Sequence, residues 1–293
     1  VEPESYFEIV HRKPVQGGHS WVIKEKLTVA DDGGEWSVLL KRTTATEVAA
    51  LEAANQVRGG TAIPPLIKSG TDSRGDWIVI PYYPGHPPAS EVAIPPNVAE
   101  TLATMHAHYL EADLVAQIPR VGPEWVPALC AVPRLEQIVR DGRSALAPIL
   151  ERVQSWADHP DLRETLASQR RTLIHGDVHR NNIIASAQTG HLVDWESARF
   201  AMPMLDLPTF GGPGTPGHEK YCETWRAQTG EDTASPAWQR GYLAAVVCVN
   251  VAYMTFAARN FGDQRAAQML HDAVNSPSGP DQTVATGAVR TTR

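Results

Sequence analysis

Two stretches constrain this chain more than any others. One is LIHGDVHRNNII (Leu173–Ile184), and the other is LVDWE (Leu192–Glu196). Ile183-Ile184 and Leu192-Val193 carry strand-like apolar pairs, and Gln188, Thr189 and Gly190 lie between them as a turn signal. That pattern predicts a β-hairpin. The returning strand then brings Asp194 beside Asn182, while Asp177 lies five residues before Asn182. Any fold for this chain must present a loop and a hairpin that hold two carboxylates and an amide together.

These residue types at this spacing suit phosphoryl transfer. That reaction needs an attacking hydroxyl held in line and positive charge on the nucleotide oxygens. Asp177 can accept a hydrogen bond from the hydroxyl and orient it. The Asn182 amide oxygen and the Asp194 carboxylate are hard oxygen donors of the kind Mg²⁺ takes. His175 reads as a brace for the loop. His179 reads as a loop residue facing solvent or stabilising the loop.

Before the motif the chain changes character once. Residues 8–43 read as β structure, with Val22-Ile23 in one strand and Trp36–Lys41 in another. Asp31-Asp-Gly-Gly34 marks the turn between them. Glu47 to Asn55 is rich in helix formers, with Thr44 or Thr46 as cap and Gly59-Gly60 as stop. Pro64–Lys68 and Trp77–Ile80 predict two more strands around the turn Thr71–Gly75. The Pro/Gly-rich run Pro81–Pro88 interrupts both helix and strand, and a lobe boundary is expected there. Residues 1–82 would form a β-rich N-lobe and residues 83–293 a mostly helical C-lobe. Helices are expected over Val98–Tyr109, over Pro148–Trp156 and from about Trp238 to His271. Gly211–Gly217 reads as a flexible segment. Trp225, Trp238 and Tyr242 read as core, and residues 275–293 as a flexible tail.

Composition removes several classes. With 42% hydrophobic and 20% charged residues in 293 positions, the chain has ample material for a core. A net charge of −7 argues against a general nucleic-acid binder and is compatible with a cationic acceptor. The three cysteines (Cys130, Cys222 and Cys248) form no CxxC pair, so neither a disulfide framework nor a cysteine zinc site is expected. A reducing cytoplasm is the simplest home. No uninterrupted run of 18 apolar residues appears, and Val1–Tyr6 lacks the basic and apolar regions of a signal peptide. No membrane span is expected, and no signal peptide is visible in the sequence given. No GxxxxGK[ST] occurs, which excludes a Walker-type site.

His175-x-Asp177-x4-Asn182, followed by Asp194 in VDWE, resembles the aminoglycoside phosphotransferase family. That family belongs to the wider protein-kinase-like fold, with choline, fructosamine and macrolide kinases. The resemblance covers about the first 210 residues well, including Asp206-Leu207, which is similar to a mainly structural Asp-Leu segment of the family. It implies an α+β, bilobal fold with a small antiparallel-sheet N-lobe and a larger, mostly helical C-lobe. It implies a small-molecule kinase that uses ATP or GTP with Mg²⁺. By resemblance Asp177 is the catalytic base and Asn182 and Asp194 are the metal ligands. Lys41 is the lysine on the α/β-phosphates, with Glu47 as its ion-pair partner. Glu47 lies closer to Lys41 than is usual, so Glu52 is a rival. The two glutamates point to different sides of a helix, so they cannot share the role. Gln16–Ser20 resembles the nucleotide loop, with Gly17, Gly18 and Ser20 approaching phosphate. The base is expected against a hinge at Ile80, Tyr82 and Tyr83. Glu196 either contacts an amino group of the substrate or braces the loop.

The resemblance implies a hydroxyl-bearing small molecule as acceptor. An antibiotic fits best, either aminoglycoside-like or a peptide of the capreomycin or viomycin type. Choline, an amino sugar or fructosamine is the alternative. A non-catalytic, kinase-like binding protein is a further class, but it would normally lack the base or a metal ligand. Asp177-Val-His179 is also a D-x-H, as in binuclear phosphoesterases. The GDxxD and GNH[DE] clusters that such enzymes need do not occur.

Overall fold

A computed structural model describes residues 2–15, 23–89, 92–113, 116–121, 127–157, 159–186 and 189–275. Val22, the Gln16–Ser20 segment with Gly17, Gly18 and Ser20, position 188 and positions 276–293 lie outside the described residues.

The N-terminal strands are β1 (Glu8–Pro14), β2 (Lys24–Asp31) and β3 (Gly34–Thr43). Helix α1 (Ala45–Ala54) leads to β4 (Lys68–Asp72) and β5 (Gly75–Pro81). They form one antiparallel sheet of five strands in the order β1-β2-β3-β5-β4. The alternation of each strand gives the sheet two unlike faces. Leu27, Val29, Val38, Leu40, Trp77 and Val79 occupy one face and form a buried apolar cluster, with Phe7, Ile9 and Ile67 packed against it. The register puts Lys24, Lys26, Leu39, Lys41, Ile78 and Ile80 on the other face. Across the core face, Arg42 of β3 reaches over β5 and grips both oxygens of Asp72 on β4 at 2.6 and 2.7 Å.

Helix α1 begins where a capping threonine allows. The Thr44 side chain accepts the Glu47 N–H at 3.3 Å, which makes Thr44, not Thr46, the cap. The helix ends at Ala54, several residues before Gly59-Gly60. Asn55 stops it by donating its amide to the Leu51 and Pro64 carbonyls. The predicted strand over Pro64–Lys68 begins only at Lys68. Pro64 and Pro65 have no N–H to give to a ladder.

Beyond the sheet come α2 (Pro96–His108), α3 (Pro127–Arg140), α4 (Ala147–Ala157) and α5 (Pro160–Ser168). They are followed by the short strand β6 (Thr172–Ile174) and the hairpin β7 (Ile183–Ser186) and β8 (Thr189–Leu192). Ile183 pairs with Leu192 and Ser186 with Thr189, so Thr189 and Gly190 belong to the returning strand, not to the turn. Gly190 is locked there by Asn97, which gives and takes a hydrogen bond with its backbone at 2.9 Å each. The last helices are α6 (Pro216–Thr229), α7 (Pro236–Asn260) and α8 (Asp263–Asn275). Pro216 and Gly217, read from sequence as part of a flexible segment, are the first residues of α6. Trp225, Trp238 and Tyr242 are all buried.

The chain divides into two compact units. The first holds residues 1–119, 172–200 and 209–231, and the second 120–171, 201–208 and 232–293. The break at Pro81–Pro88 therefore marks the change from sheet to helix, but the chain stays within the first unit to Pro119. In that unit α2 packs on α6, β6 and β8, burying Val98, Leu102 and Met105. His106 Nδ1 and Tyr221 Oη meet at 2.8 Å between α2 and α6. In the second unit α7 packs against α3, α5 and α8. Helix α7 is long and apolar enough to cross a membrane by length and composition, yet 61% of that window is buried inside the protein. Its apolar character is accounted for by core packing.

Candidate active site

Lys41 is the centre of a dense charge cluster on the face of the sheet opposite the apolar core. Its Nζ lies 2.6 Å from Glu47 Oε2, 2.7 Å from Asp194 Oδ1 and 3.2 Å from Glu196 Oε1. The Lys41 side chain is 4% exposed and that of Glu47 1%. Burial by itself depresses an ammonium pKa, but Glu47 and Asp194 outweigh it and hold Lys41 above the ordinary lysine value. Thr43 Oγ1 donates to Glu47 Oε2, and Glu47 Oε1 accepts the Trp195 N–H at 3.0 Å. Glu47 thus fixes the lysine and the backbone after Asp194 together. Glu52 is exposed and accepts from Ser69 Oγ at 3.2 Å, away from Lys41.

Asp194 takes a left-handed backbone conformation, φ +69°. That costs a residue with a side chain on the order of 1–3 kcal/mol, and it persists only where its surroundings fix it. Both neighbours are pinned here. The Val193 N–H donates to the Asn182 carbonyl at 2.8 Å, and the Trp195 N–H is held by Glu47. Burial pushes the Asp194 carboxyl up, but Lys41, with smaller help from Lys24, brings it below the ordinary aspartate value. It is ionised at neutral pH.

The loop before β7 is equally constrained. Gly176 has φ +79°, and a Cβ there would strike the Ser197 carbonyl oxygen. Arg199 Nη2 donates to the Gly176 carbonyl at 3.0 Å. His175 Nε2 contacts the Val193 carbonyl at 3.1 Å, and the Asp177 N–H donates to His175 Nδ1 at 3.3 Å. Both contacts require the Nε2–H tautomer. The His175 ring packs edge-on against Trp195, with centroids 4.7 Å apart. The side chain therefore ties the loop to the segment that carries Asp194. Asn182 Nδ2 donates to the Asp177 carbonyl at 3.0 Å and to Asp177 Oδ2 at 3.2 Å. His179 Nε2 lies 3.4 Å from the same oxygen.

The structure gathers most of the residues singled out from sequence. Lys41, Glu47, Asp194 and Glu196 are in mutual contact, and Asp177, Asn182 and His175 share one loop network that is joined to Asp194 through the Val193–Asn182 bond. Ile80 lies on the same sheet face as Lys41. The Tyr82 N–H already donates to the Ser37 carbonyl at 3.1 Å, and Lys26 Nζ sits 4.6 Å from the centre of the Tyr82 ring. Asp206 is buried in a 3-10 turn of the second unit.

Two residues were not singled out for the site from sequence. His179, read as a loop residue, stands beside Asp177. Lys24 lies 3.9 Å from Asp194 Oδ2. The D-x-H spacing sets His179 two residues from Asp177, but the sequence reading gave it no catalytic role. Lys24 was within reach, because the tight Asp31–Gly34 turn fixes the register, and counting back from it pairs Lys24 with Lys41.

The donor set fits a hard divalent cation. Glu47, Asp194 and Glu196 offer carboxylate oxygens within 4.8 Å of one another. With the Asn182 nitrogen engaged by Asp177, its amide oxygen is the atom left to serve as a ligand.

A small antiparallel sheet with a buried Lys–Glu pair, and a loop and hairpin that carry Asp, Asn and Asp, define a protein-kinase-like fold. Solved structures agree. Choline kinase from Cryptosporidium parvum Iowa II aligns with TM-score 0.60 at 13% identity, over 97% of this chain and 92% of that one. A spectinomycin phosphotransferase, solved with ADP and spectinomycin, aligns with TM-score 0.55 at 13% identity, over 93% and 92%. The GDP complex of an aminoglycoside 2'-phosphotransferase aligns with TM-score 0.54 at 15% identity, over 92% and 93%. No curated protein matches the chain. The model of the phosphotransferase enzyme family matches residues 27–244, and the chain belongs to that family. It is a small-molecule kinase by class.

Proposed function

We propose that this protein transfers the terminal phosphate of ATP or GTP to a hydroxyl of a small molecule, with Mg²⁺. The acceptor is an antibiotic, aminoglycoside-like or a peptide of the capreomycin or viomycin type, and the product is an inactivated drug. The observation that carries the reading is one linked network. Lys41 is clamped between Glu47 and Asp194, and Asp194 is joined by backbone to Asn182, whose side chain holds Asp177.

In this reading the nucleotide is handled by residues 1–82 together with the motif loop, and the acceptor by the later helices. Lys41 neutralises the α/β-phosphates, and Glu47 keeps its ammonium in place. The base lies towards Ile80 on the lysine face. Hydrogen bonds to it fall to backbone groups near Tyr82 other than the Tyr82 N–H. Asn182 and Asp194 hold the metal, and Glu196 stands beside them. Mg²⁺ supplies charge neutralisation at the phosphate oxygens. Asp177 orients the acceptor hydroxyl and takes its proton late, with no phosphoenzyme. A nucleoside triphosphate co-substrate and three cysteines without a CxxC pair are consistent with a cytoplasmic location.

An assay of ADP or GDP release with Mg²⁺, run over a panel of antibiotics, choline, amino sugars and fructosamine, tests the proposal. Mass spectrometry should find one added phosphate on an acceptor. Asp177→Ala should cut turnover by about 10²–10⁴-fold, the usual contribution of a positioned base, and leave nucleotide binding nearly unchanged. Near-normal turnover in that variant removes Asp177 from the base role. A phosphorylated metabolite with no antibiotic product overturns the choice of acceptor but not the chemistry.

A further inference from the structure

Lys24 takes no part in the scheme above. It opens β2, directly opposite Lys41 in the antiparallel register. Opposed residues point to the same side of a sheet, and like charges placed so repel. The two lysines also divide one carboxylate, with Lys41 at 2.7 Å from Asp194 Oδ1 and Lys24 at 3.9 Å from Oδ2.

Their settings differ in a way that bears on function. Lys41 is almost inaccessible and is locked by Glu47, Asp194 and Glu196. The Lys24 side chain is 15% exposed, and among the described residues Asp194 is its one anionic neighbour. At 3.9 Å that contact is too long for a hydrogen bond, so it orients the ammonium without occupying its donors. Lys26, two positions further along the same face, sits over the Tyr82 ring at 4.6 Å. The face therefore has two ends. Lys24 and Lys41 mark the end at Asp194, while Lys26, Tyr82 and Ile80 mark the other.

We infer that Lys24 is a second polyphosphate-binding lysine, which holds the terminal phosphate while Lys41 holds the inner ones. The inference rests on the proposed reading that the site takes a nucleoside triphosphate with a divalent cation. When a cation claims Asp194, Lys24 loses its carboxylate, and a phosphate oxygen supplies the missing negative charge. Lys41 keeps Glu47 and stays fixed. Lys24 has no such anchor, so it can follow the phosphoryl group as charge moves along the transfer coordinate.

Calorimetric titration of adenosine, ADP and ATP with Mg²⁺ into the wild type, Lys24→Met and Lys24→Arg tests this, with the guanine series used if that base binds more tightly. Loss of one charge-assisted contact should weaken ATP binding by about tenfold in Lys24→Met. ADP should weaken much less and adenosine not at all, and Lys24→Arg should recover most of the ATP affinity. An unchanged ratio of ATP to ADP affinity in Lys24→Met, with wild-type binding intact, overturns the inference alone. Equal losses for all three ligands without rescue by arginine overturn it too, because that pattern marks a strand residue with a structural role. A wild type that binds none of the three ligands sinks the proposed function along with it.

Discussion

At the scale of single residues, Glu47 is decided by one cap. Thr44 starts α1 so that Glu47 falls in its first turn, from where the carboxylate reaches both Lys41 Nζ and the Trp195 N–H. Glu47→Gln removes one of the carboxylates around a buried ammonium. Breaking a buried pair typically costs about 3–5 kcal/mol, and with Asp194 and Glu196 still in place about 2 kcal/mol is expected. Chemical denaturation reads this as a lower midpoint; an unchanged midpoint would contradict the burial of the pair. The pH response of the pair is also set. Lys41 is raised above its unfolded value, so its contribution is complete below the ordinary lysine pKa and fades only in strong alkali. Asp194 is lowered, so its contribution is present above the ordinary carboxylate value and fades as the pH falls below it. Between these limits neither group makes stability vary with pH.

At the scale of elements, the legible parts are those with local causes. The β7–β8 hairpin and the β2–β3 turn are written in apolar residues and in turn residues, and both form, although Thr189 and Gly190 fall in the returning strand of the first. Helix α6 is absent from the sequence reading because PGHEKYCETWRAQT opens on proline and glycine and is polar over much of its length. Packing against α2 through Tyr221 and Trp225 is what supports it. The edge of the sheet gives a pH prediction. The hydrogen-bonded Arg42 guanidinium holds the Asp72 carboxyl at about 2, against an ordinary 3.8. The stabilisation is therefore present above the ordinary value and lost as the pH falls through the folded one. Asp72→Asn should lower the thermal midpoint at pH 7. The gap from wild type should close as the pH drops from about 4 to about 2, where the wild-type carboxyl protonates as well. A gap that stays constant across that range assigns the loss to shape and not to charge.

At the scale of the whole molecule, the site is assembled from segments far apart in the chain: β3, α1, and the loop and hairpin at residues 175–196. A ligand that binds only this assembled arrangement must stabilise the fold. Mg²⁺ with ATP or GTP at 100 times its dissociation constant should add about 2.7 kcal/mol, visible as a rise in the thermal midpoint. Asp194→Asn should lose most of that rise, since asparagine tolerates the left-handed backbone but brings no charge for the metal. A full shift in the variant would take Asp194 out of the metal site. The sequence by itself determined the motif loop, the hairpin, strands β3 and β5 to within a few residues and the spacing of Asp177, Asn182 and Asp194. Each of these depends on spacing along a few consecutive residues. Tertiary structure alone raised α6 from a polar segment and set Glu196 against Lys41. Those outcomes depend on which distant surfaces meet, and burial and charge pairing between such surfaces leave no periodic trace in the chain.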